Sequence, residues 1–308
     1  MDINLIENIL FATVRTGTPL LLVALGAMMS ERSGVLNLGQ EGMILVGAAC
    51  AFMAAYGAGS LGLGILAGAA AGMAVSLIFA FIALSLMSNQ VATGLALTIF
   101  GTGLSAFLGA GYVGQSITGL APVAIPLLSG IPLLGKAFFA QDALVYLSFV
   151  LFALVWGVMR YTRLGLVIRA VGENPEVAHA LGYKVLRVRY LAVMFGGAMA
   201  GLAGAYLSLA YTPMWSEGIA AGRGWIALAL VVFASWRSER ILLGAWLFGF
   251  ASILHLLLQG YGYEISPNLL AMLPYIVTIL VLVLMMYRQK NQGLFAPRSL
   301  GHPFHPSK

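Results

Sequence analysis

Long, continuous apolar segments dominate this chain. Of its 308 residues, 61% are hydrophobic and only 8% are charged, whereas a soluble domain carries about 25% charged residues. This small number of charged side chains cannot cover the surface of a soluble protein. Most of the surface must therefore face lipid. The apolar runs are about 20 residues long and do not alternate, which is typical of membrane-spanning helices rather than barrel strands. The sequence therefore predicts an all-α, polytopic helical membrane protein.

The apolar runs predict about eight to ten transmembrane helices. Some runs are short and rich in glycine, as broken or re-entrant helices are. The delimited runs are 5–29, 40–57, 60–86, 90–111, 143–161, 189–211, 223–236, 240–260 and 268–287. We interpret residues 1–290 as a single transmembrane domain. Residues 291–308 are predicted to be a disordered cytoplasmic tail.

The Lys and Arg residues predict the orientation of the chain. Placing residues 162–188 in the cytoplasm also places there the loops 30–39, 87–89 and 236–240 and the tail from residue 288. These regions, counted with Arg160 and Arg189 at the membrane edge, hold 13 of the 16 Lys and Arg residues, as the positive-inside rule requires. The net charge of +6 is then explained by topology and by attraction to anionic membrane lipid. No basic patch is interleaved with stacking aromatics, so a nucleic-acid partner is not expected.

A polar insert at Arg169–Gly182 separates two apolar runs. Asn174 can cap the free N–H groups of a helix, and Pro175 fits the first helical position. Gly182 is a natural helix stop. The insert therefore predicts a helix of about seven residues, roughly 10 Å long, outside the bilayer. A rigid helix in this position is suited to contact a cytoplasmic partner.

Further polar residues lie near the predicted spans. The stretch Ser30–Gly42 is too rich in glycine for a regular helix and too apolar for a solvated loop, so it is either part of a solute pathway or a capped turn. Polar residues at Asn89–Gly94 either hold helices together or line the pathway. Arg223, at the predicted external start of a later span, either contacts solute or forms an ion pair. The pathway candidates are Asn37, Gln40, Glu41, Asn89, Gln90, Thr93, Arg223 and Trp225.

Signatures of catalysis and metal binding are missing from the sequence. It contains neither a phosphate-binding loop nor an H-E-x-x-H motif,. The single Cys50 excludes a disulfide within the chain and a cysteine-based metal cluster. We therefore expect no enzymatic activity, no catalytic residue and no metal ion or other cofactor in this chain.

Four segments together resemble one family, the membrane permeases of ATP-binding-cassette importers in the branched-chain amino acid, ribose and simple-sugar group. Ser33–Gly42 resembles the early glycine-rich signature of the subgroup that imports nucleosides and simple sugars. Asn89-Gln90-Val91 with Gly94 and Leu97 resembles that subgroup's fourth-span pattern, and Ala221–Leu228 its later Gly-Arg-Gly-aromatic motif. The Arg169–Gly182 insert is similar to the family's coupling helix, at about 174–182, which docks in a groove of the ATPase.

This resemblance implies a division of labour in the bacterial plasma membrane. A cytoplasmic ATPase subunit would bind ATP and Mg, a second homologous permease would complete a heterodimer, and an extracytoplasmic binding lipoprotein would deliver the solute. The solute would be a nucleoside, with purine nucleosides first, or a simple sugar, and Phe100 or Trp225 would contact a base. The residues implied in coupling to the ATPase are Gly172, Glu173, Asn174, Pro175, Glu176, Ala178, Leu181 and Gly182.

An ion-coupled secondary transporter of a small polar solute is the alternative function. Such a carrier commonly has a carboxylate near the middle of the bilayer. Every Asp and Glu of this chain falls at a predicted span edge or in a loop, which argues against this alternative.

Overall fold

The computed structural model describes residues 3–126, 128–260 and 296–305, together with positions 272, 276, 279, 280 and 283. All regular elements in these ranges are helical, which confirms the all-α prediction. The helices are α1 (Ile3–Arg32), α2 (Gln40–Ala58), α3 (Leu61–Ala80), α4 (Gln90–Gly109), α5 (Gly135–Phe139), α6 (Ala143–Tyr161), α7 (Arg163–Glu173), α8 (Pro175–Ala180), α9 (Val185–Tyr206), α10 (Arg223–Phe233) and α11 (Ser238–Gly260). A π-helical turn, Phe81–Ser85, extends α3, and another, Leu207–Tyr211, extends α9.

Six helices in the described ranges are long and apolar enough to cross a membrane. They are α1, α2, α3, α4, α6 and α9, with their π-helical and 3-10 extensions. They coincide with the first six predicted runs, so the multi-pass membrane architecture is confirmed. The predicted run 268–287 falls almost entirely outside the described residues.

The predicted span 223–236 is wrong, because α10 is too short to cross a bilayer. Its 11 residues extend about 16 Å. The helix ends before a turn in which Ser235 and Trp236 both have positive φ. Such a short helix resembles the broken helices that transporters place inside the bundle.

The segment before α10 runs back along α2. Trp215 packs with Ala49 and Phe52 in the middle of α2, whereas Gly222 bonds to Glu41 in its first turn. Because α2 starts a few residues after α1 ends, this first turn lies toward the end of the bundle that carries α8. The prediction that Arg223 stands at the external edge is therefore wrong, since the re-entrant segment brings α10 into the bundle.

The centre of the bundle is α9, which packs against α1, α2 and α3. Small residues allow these close contacts. A Cβ atom on Gly47 would lie 2.6 Å from the Cα atom of Gly201, and a Cβ atom on Gly201 would collide with the carbonyl of Gly68. The abundant glycine of the sequence thus permits the backbone contacts that hold membrane helices together.

Residues 296–305, called the tail segment below, are folded onto this bundle, so the prediction of a disordered tail does not hold for them. Phe304 is 5% exposed and packs with Val171, Ala178 and Val185. The amide of Ser299 donates to the Gly172 carbonyl at 3.0 Å. A buried aromatic ring and satisfied backbone groups give this short segment the contacts that order it.

The side chain of Arg189 explains why the tail segment is held. It is fully buried and donates hydrogen bonds to the Ser33 carbonyl, the Ser299 hydroxyl and the His302 carbonyl, at 3.2, 3.1 and 3.1 Å. A buried guanidinium is costly unless its donors find acceptors. Two of these three acceptors come from the tail segment.

Replacing Phe304 by Ala is predicted to release the tail segment. Removal of a buried Phe side chain costs about 3–5 kcal/mol in a core, so the cleavage rate after the exposed Arg298 in limited trypsin digestion should rise by at least about tenfold. His305→Ala, at an exposed neighbour, is the control and should digest like the parent. Equal cleavage of both variants would contradict a packed tail segment.

Candidate functional site

The short helix α8 forms where the local sequence predicts it. The Asn174 side chain accepts a hydrogen bond from the Val177 amide at 3.0 Å and caps the helix. Pro175 occupies the first helical position, where its missing N–H costs nothing. Both features make the start of the helix well defined.

The other end of α8 is closed by a left-handed glycine. Gly182 has φ of 89°, and the Tyr183 amide donates to the Ala178 carbonyl at 3.1 Å. This six-to-one bond past a left-handed residue is the Schellman motif. Caps at both ends give a helix of only six residues a fixed shape, which the low intrinsic stability of short helices would not provide.

The residues of the insert divide into an exposed and a buried group. Val177 and Leu181 are 53% and 72% exposed. They lie four positions apart, so they share one face of the helical turn. Glu173, Asn174 and Glu176 are exposed as well. The outer surface of α8 therefore combines an apolar pair with two carboxylates.

Gly172 and Ala178, also implied in coupling, are buried and attach the insert to the bundle. A Cβ atom on Gly172 would collide with the carbonyl of Arg32, at the end of α1. The Ala178 side chain is 2% exposed and touches the Phe304 cluster. The ring of His179 also contacts Phe304, with 5.7 Å between centroids. These contacts join α8 to α9 and the tail segment, while the end of α7 contacts α1, so the insert is attached to the bundle at both places.

Two of the pathway candidates act as structural caps. The Asn37 side chain is 2% exposed and accepts from the Gly39 amide at 2.8 Å, just before α2 begins. Asn89 accepts from the Ala92 amide at 3.0 Å and is the N-cap of α4. Asn37 therefore closes the turn that leads into α2, whereas Asn89 caps the N-terminus of α4, and both use their side-chain oxygen to do so,.

The Glu41 carboxylate binds the start of α10. Its two oxygens accept hydrogen bonds from the Gly222 and Gly224 amides at 2.8 and 2.7 Å. These are free N–H groups of a helix N-terminus, where the helix dipole also favours an anion. Glu41 is thus engaged within the bundle and fixes the re-entrant segment to α2.

Buried amide groups with unused hydrogen-bonding capacity occur at Gln40 and Gln90. Gln40 is fully buried, and neither its side-chain oxygen nor its nitrogen has a partner among the described residues. The oxygen of Gln90 accepts from the Leu36 amide at 2.8 Å, but its nitrogen has no such partner. These amides are the candidates best able to receive a further polar group.

Asn89 and Thr93 line a groove between α3 and α4. The groove has a volume of about 500 Å³ and is bordered by Ile78, Ile82 and Phe100 as well as by Ser88, Asn89 and Thr93. Phe100 is half exposed. The groove therefore offers an aromatic and aliphatic wall beside a cluster of hydroxyl and amide groups.

Arg223 and Trp225 do not join this groove. The Arg223 guanidinium donates to the carbonyls of Ile219 and Ala220 and lies 5.5 Å from the centre of the Tyr211 ring. Trp225 is 39% exposed on α10. The structure thus places these two candidates in the re-entrant region and separates them from Asn89 and Thr93.

An interaction that the sequence pattern does not indicate links α1 to the start of α6. The Arg15 guanidinium donates to the Ala210 carbonyl at 2.8 Å and lies 3.9 Å from the Asp142 carboxylate. Burial raises the pKa of the Asp142 carboxyl above its usual range, against the lowering effect of the Arg15 charge and of backbone N–H groups,. The partners are 127 and 195 positions away from Arg15, so no local signal identifies them.

The membrane-spanning fold and the capped helix α8 outside the bilayer define a multi-pass membrane permease. Residues 9–284 match the family described as the permease component of a branched-chain amino acid transport system, and the chain belongs to this family. As a permease subunit of an ATP-binding-cassette transporter, it has no catalytic role. This membership sets aside the ion-coupled carrier considered above.

Three relatives resemble the chain over nearly its full length. A provisionally named glucose ABC transporter permease protein of Haloferax volcanii, TsgC13, is 44% identical over 95% of this chain and 96% of its own. The guanosine ABC transporter permease protein NupQ of Bacillus subtilis is 36% identical over 99% and 98%. The nucleoside ABC transporter permease protein NupC of Lactococcus lactis is 33% identical over 92% and 93%.

The Glu41→Gln variant is predicted to lower stability. A carboxamide has one acceptor oxygen, so one of the two α10 amides would face an NH₂ group and lose its partner, at a cost of about 1–3 kcal/mol. The purified variant should show a lower Tm than the parent. Glu217→Gln, at an exposed position just before α10, is the matched control and should keep the parent Tm. An unchanged Tm in Glu41→Gln would contradict the assigned anchoring role.

Proposed function

We propose that this chain forms one half of the pathway through which an ATP-driven importer moves a purine nucleoside. In this proposal, ATP and Mg are bound by a separate cytoplasmic ATPase, which docks on α8. An extracytoplasmic binding lipoprotein delivers the solute. The chain itself contributes the coupling helix and the pathway wall.

The observation that carries the proposal is the exposed apolar pair on a doubly capped helix. Exposure of the apolar Val177 and Leu181 side chains to water is unfavourable. The attachment of α8 to α9 and the tail segment prevents the helix from rotating to bury them. Burial in a groove of a second polypeptide removes this apolar surface from water. Glu173 and Glu176 can then meet basic residues at the rim of the groove.

The mechanism follows from the stiffness of the attachment. When ATP draws the ATPase subunits together, α8 moves with them. Because Gly172 touches the Arg32 carbonyl and Ala178 packs on Phe304, the displacement is passed to α1 and α9. A tilt of these central helices switches the pathway between its two open sides, as in alternating access.

A second permease chain completes the pathway. A further relative, the glucose ABC transporter permease protein TsgB13, comes from the same organism as TsgC13 and also matches this chain. Two related permeases in one organism are consistent with a pair that works together. The partner of this chain would accordingly be a homologous permease in a heterodimer.

The groove between α3 and α4 supports a nucleoside as the solute. Its volume of about 500 Å³ lies in the range of roughly 300–1,000 Å³ that is usual for small-molecule sites. A base can stack on Phe100, while ribose hydroxyls reach Ser88, Asn89 and Thr93. The names of NupQ and NupC point to the same solute class.

A hexose is the second candidate solute. The observation in its favour is the 44% identity to TsgC13, whose name specifies glucose. The polar edge of the groove would suit a hexose, but Ile78, Ile82 and Phe100 would then face hydroxyl groups. We therefore place the nucleoside first.

The Leu181→Asp variant tests the docking of the ATPase. A charged group in an apolar groove is expensive to bury, so co-purification of the ATPase should fall by at least about tenfold, and ATP-dependent uptake should fall with it. Leu134→Asp, at a half-exposed leucine between α4 and α6, is the control and should retain the ATPase. Full retention of the ATPase by Leu181→Asp would refute the coupling role.

The Phe100→Ala variant tests the solute and the groove together. Loss of aromatic stacking, worth about 0.5–1.5 kcal/mol, should lower kcat/KM for guanosine uptake roughly twofold to tenfold. Phe107→Ala, on the same helix but 80% exposed and outside the groove, should transport like the parent. Uptake of labelled glucose rather than guanosine by the parent complex would decide for the hexose. Equal guanosine uptake by both Phe variants would place the solute elsewhere.

A further inference from the structure

A cluster of arginines surrounds a small cavity where α1 and α6 end. The cavity has a volume of about 160 Å³. Its charged lining residues are Arg32, Arg160, Arg169, Arg237 and Glu239. Four guanidinium groups thus face one carboxylate, so the lining has a net charge of +3.

The single carboxylate of this cavity is already engaged. Glu239 accepts a hydrogen bond from the Trp156 indole at 2.7 Å and lies 3.5 Å from Arg160. The nearby Glu31 is 2% exposed, accepts from the Trp236 indole at 2.6 Å and is not among the residues that line the cavity. Arg32 and Arg169 use some of their donors on the carbonyls of Trp236 and Gly165.

Three arginines form no direct ion pair among the described residues, and only longer-range attraction acts between Arg32 and Glu173 and between Arg237 and Glu239. Among the described residues, the ion pairs are Arg15–Asp142 and Arg160–Glu239, so Arg32, Arg169 and Arg237 form none. Like charges held at one cavity repel one another, and an anion between them relieves that repulsion. Guanidinium groups are also the side chains best matched to phosphate oxygens.

Aromatic residues place the cavity at the surface of the bilayer. Trp156 and Trp236 line it, and the Arg160 guanidinium lies 5.9 Å from the centres of both the Trp156 and Tyr161 rings. Trp and Tyr concentrate at the level of the lipid headgroups. The cavity is therefore at the depth of lipid phosphates rather than in bulk water.

Apolar surface continues from the cavity along α11. Met28 and Met159 form part of its wall. On α11, the exposed residues Leu243 and Leu247 lie four and eight positions after Glu239, on the same side of the helix,. A ligand with a phosphate headgroup and acyl chains fits both the arginine-lined cavity and the apolar surface beside it. A free phosphate ion would contact only the cavity.

We propose that the cavity binds the headgroup of an anionic phospholipid. The phosphate lies between Arg32, Arg169 and Arg237, and the acyl chains follow the exposed face of α11. Because Arg169 belongs to α7, the bound lipid joins the helix before α8 to the end of α1 and to the turn between α10 and α11. The lipid is thereby a structural partner of the coupling region.

Native mass spectrometry of the complete transporter complex in detergent tests this proposal. The probes are phosphatidylglycerol and phosphatidylcholine. The parent should retain phosphatidylglycerol preferentially. The double variant Arg169→Gln/Arg237→Gln removes two of the positive charges that attract the headgroup, so retention should fall by about tenfold or more. The double variant Arg163→Gln/Arg187→Gln, which removes two exposed charges outside the cavity, should bind like the parent.

The same experiment separates the other possible occupants. Inorganic phosphate added at millimolar concentration should not displace phosphatidylglycerol, and displacement would assign the cavity to a free anion instead. Loss of the ATPase with unchanged lipid binding in the cavity variant would assign these arginines to the protein partner. Equal retention of phosphatidylglycerol and phosphatidylcholine, or equal binding by the two double variants, would also overturn the proposal. None of these outcomes depends on which solute is transported.

Discussion

Buried backbone groups must find partners inside a protein that lipid surrounds, and this constraint shapes the irregular parts of the bundle. The re-entrant segment before α10 ends in free N–H groups, and the Glu41 carboxylate binds two of them,. The turn before α2 is closed by Asn37, and the start of α4 by Asn89. Glu41, Asn37 and Asn89, which were predicted to contact solute, thus bind backbone amides of the protein itself. These bonds allow turns and broken helices to exist within a membrane.

The short helix α8 at the end of the bundle is likewise stabilised by specific hydrogen bonds and packing contacts. The helix α8 has only six residues, so it derives its rigidity from two caps and from its attachments rather than from length. Arg189 binds the tail segment and the Ser33 carbonyl, while Phe304 packs beneath Ala178. The tail segment thus fixes the position of α8 relative to α9.

Prediction succeeded where short-range chemistry decides the structure. Asn174, Pro175 and Gly182 delimit α8 because capping and backbone preference depend on neighbouring residues alone. The long apolar runs similarly located the six confirmed spans. The prediction of a span at α10 was wrong, because an apolar run of 14 residues has the same sequence pattern whether it crosses the bilayer or enters the bundle as a short helix. The tail segment looked disordered because its partners, Arg189 and Val171, lie more than 100 positions away.

The sequence by itself determined that this is a helical membrane protein and that α8 is a short helix with defined ends outside the bilayer. Hydrophobicity and capping are local properties of the chain. Only the tertiary structure decided what the polar residues between the spans do. Glu41 meets α10 across 181 and 183 positions, and three arginines from separate helices meet a fourth, from the turn before α11, around one cavity. Such encounters depend on how the helices pack, because charge and hydrogen bonding act through distances in space that no spacing along the chain encodes.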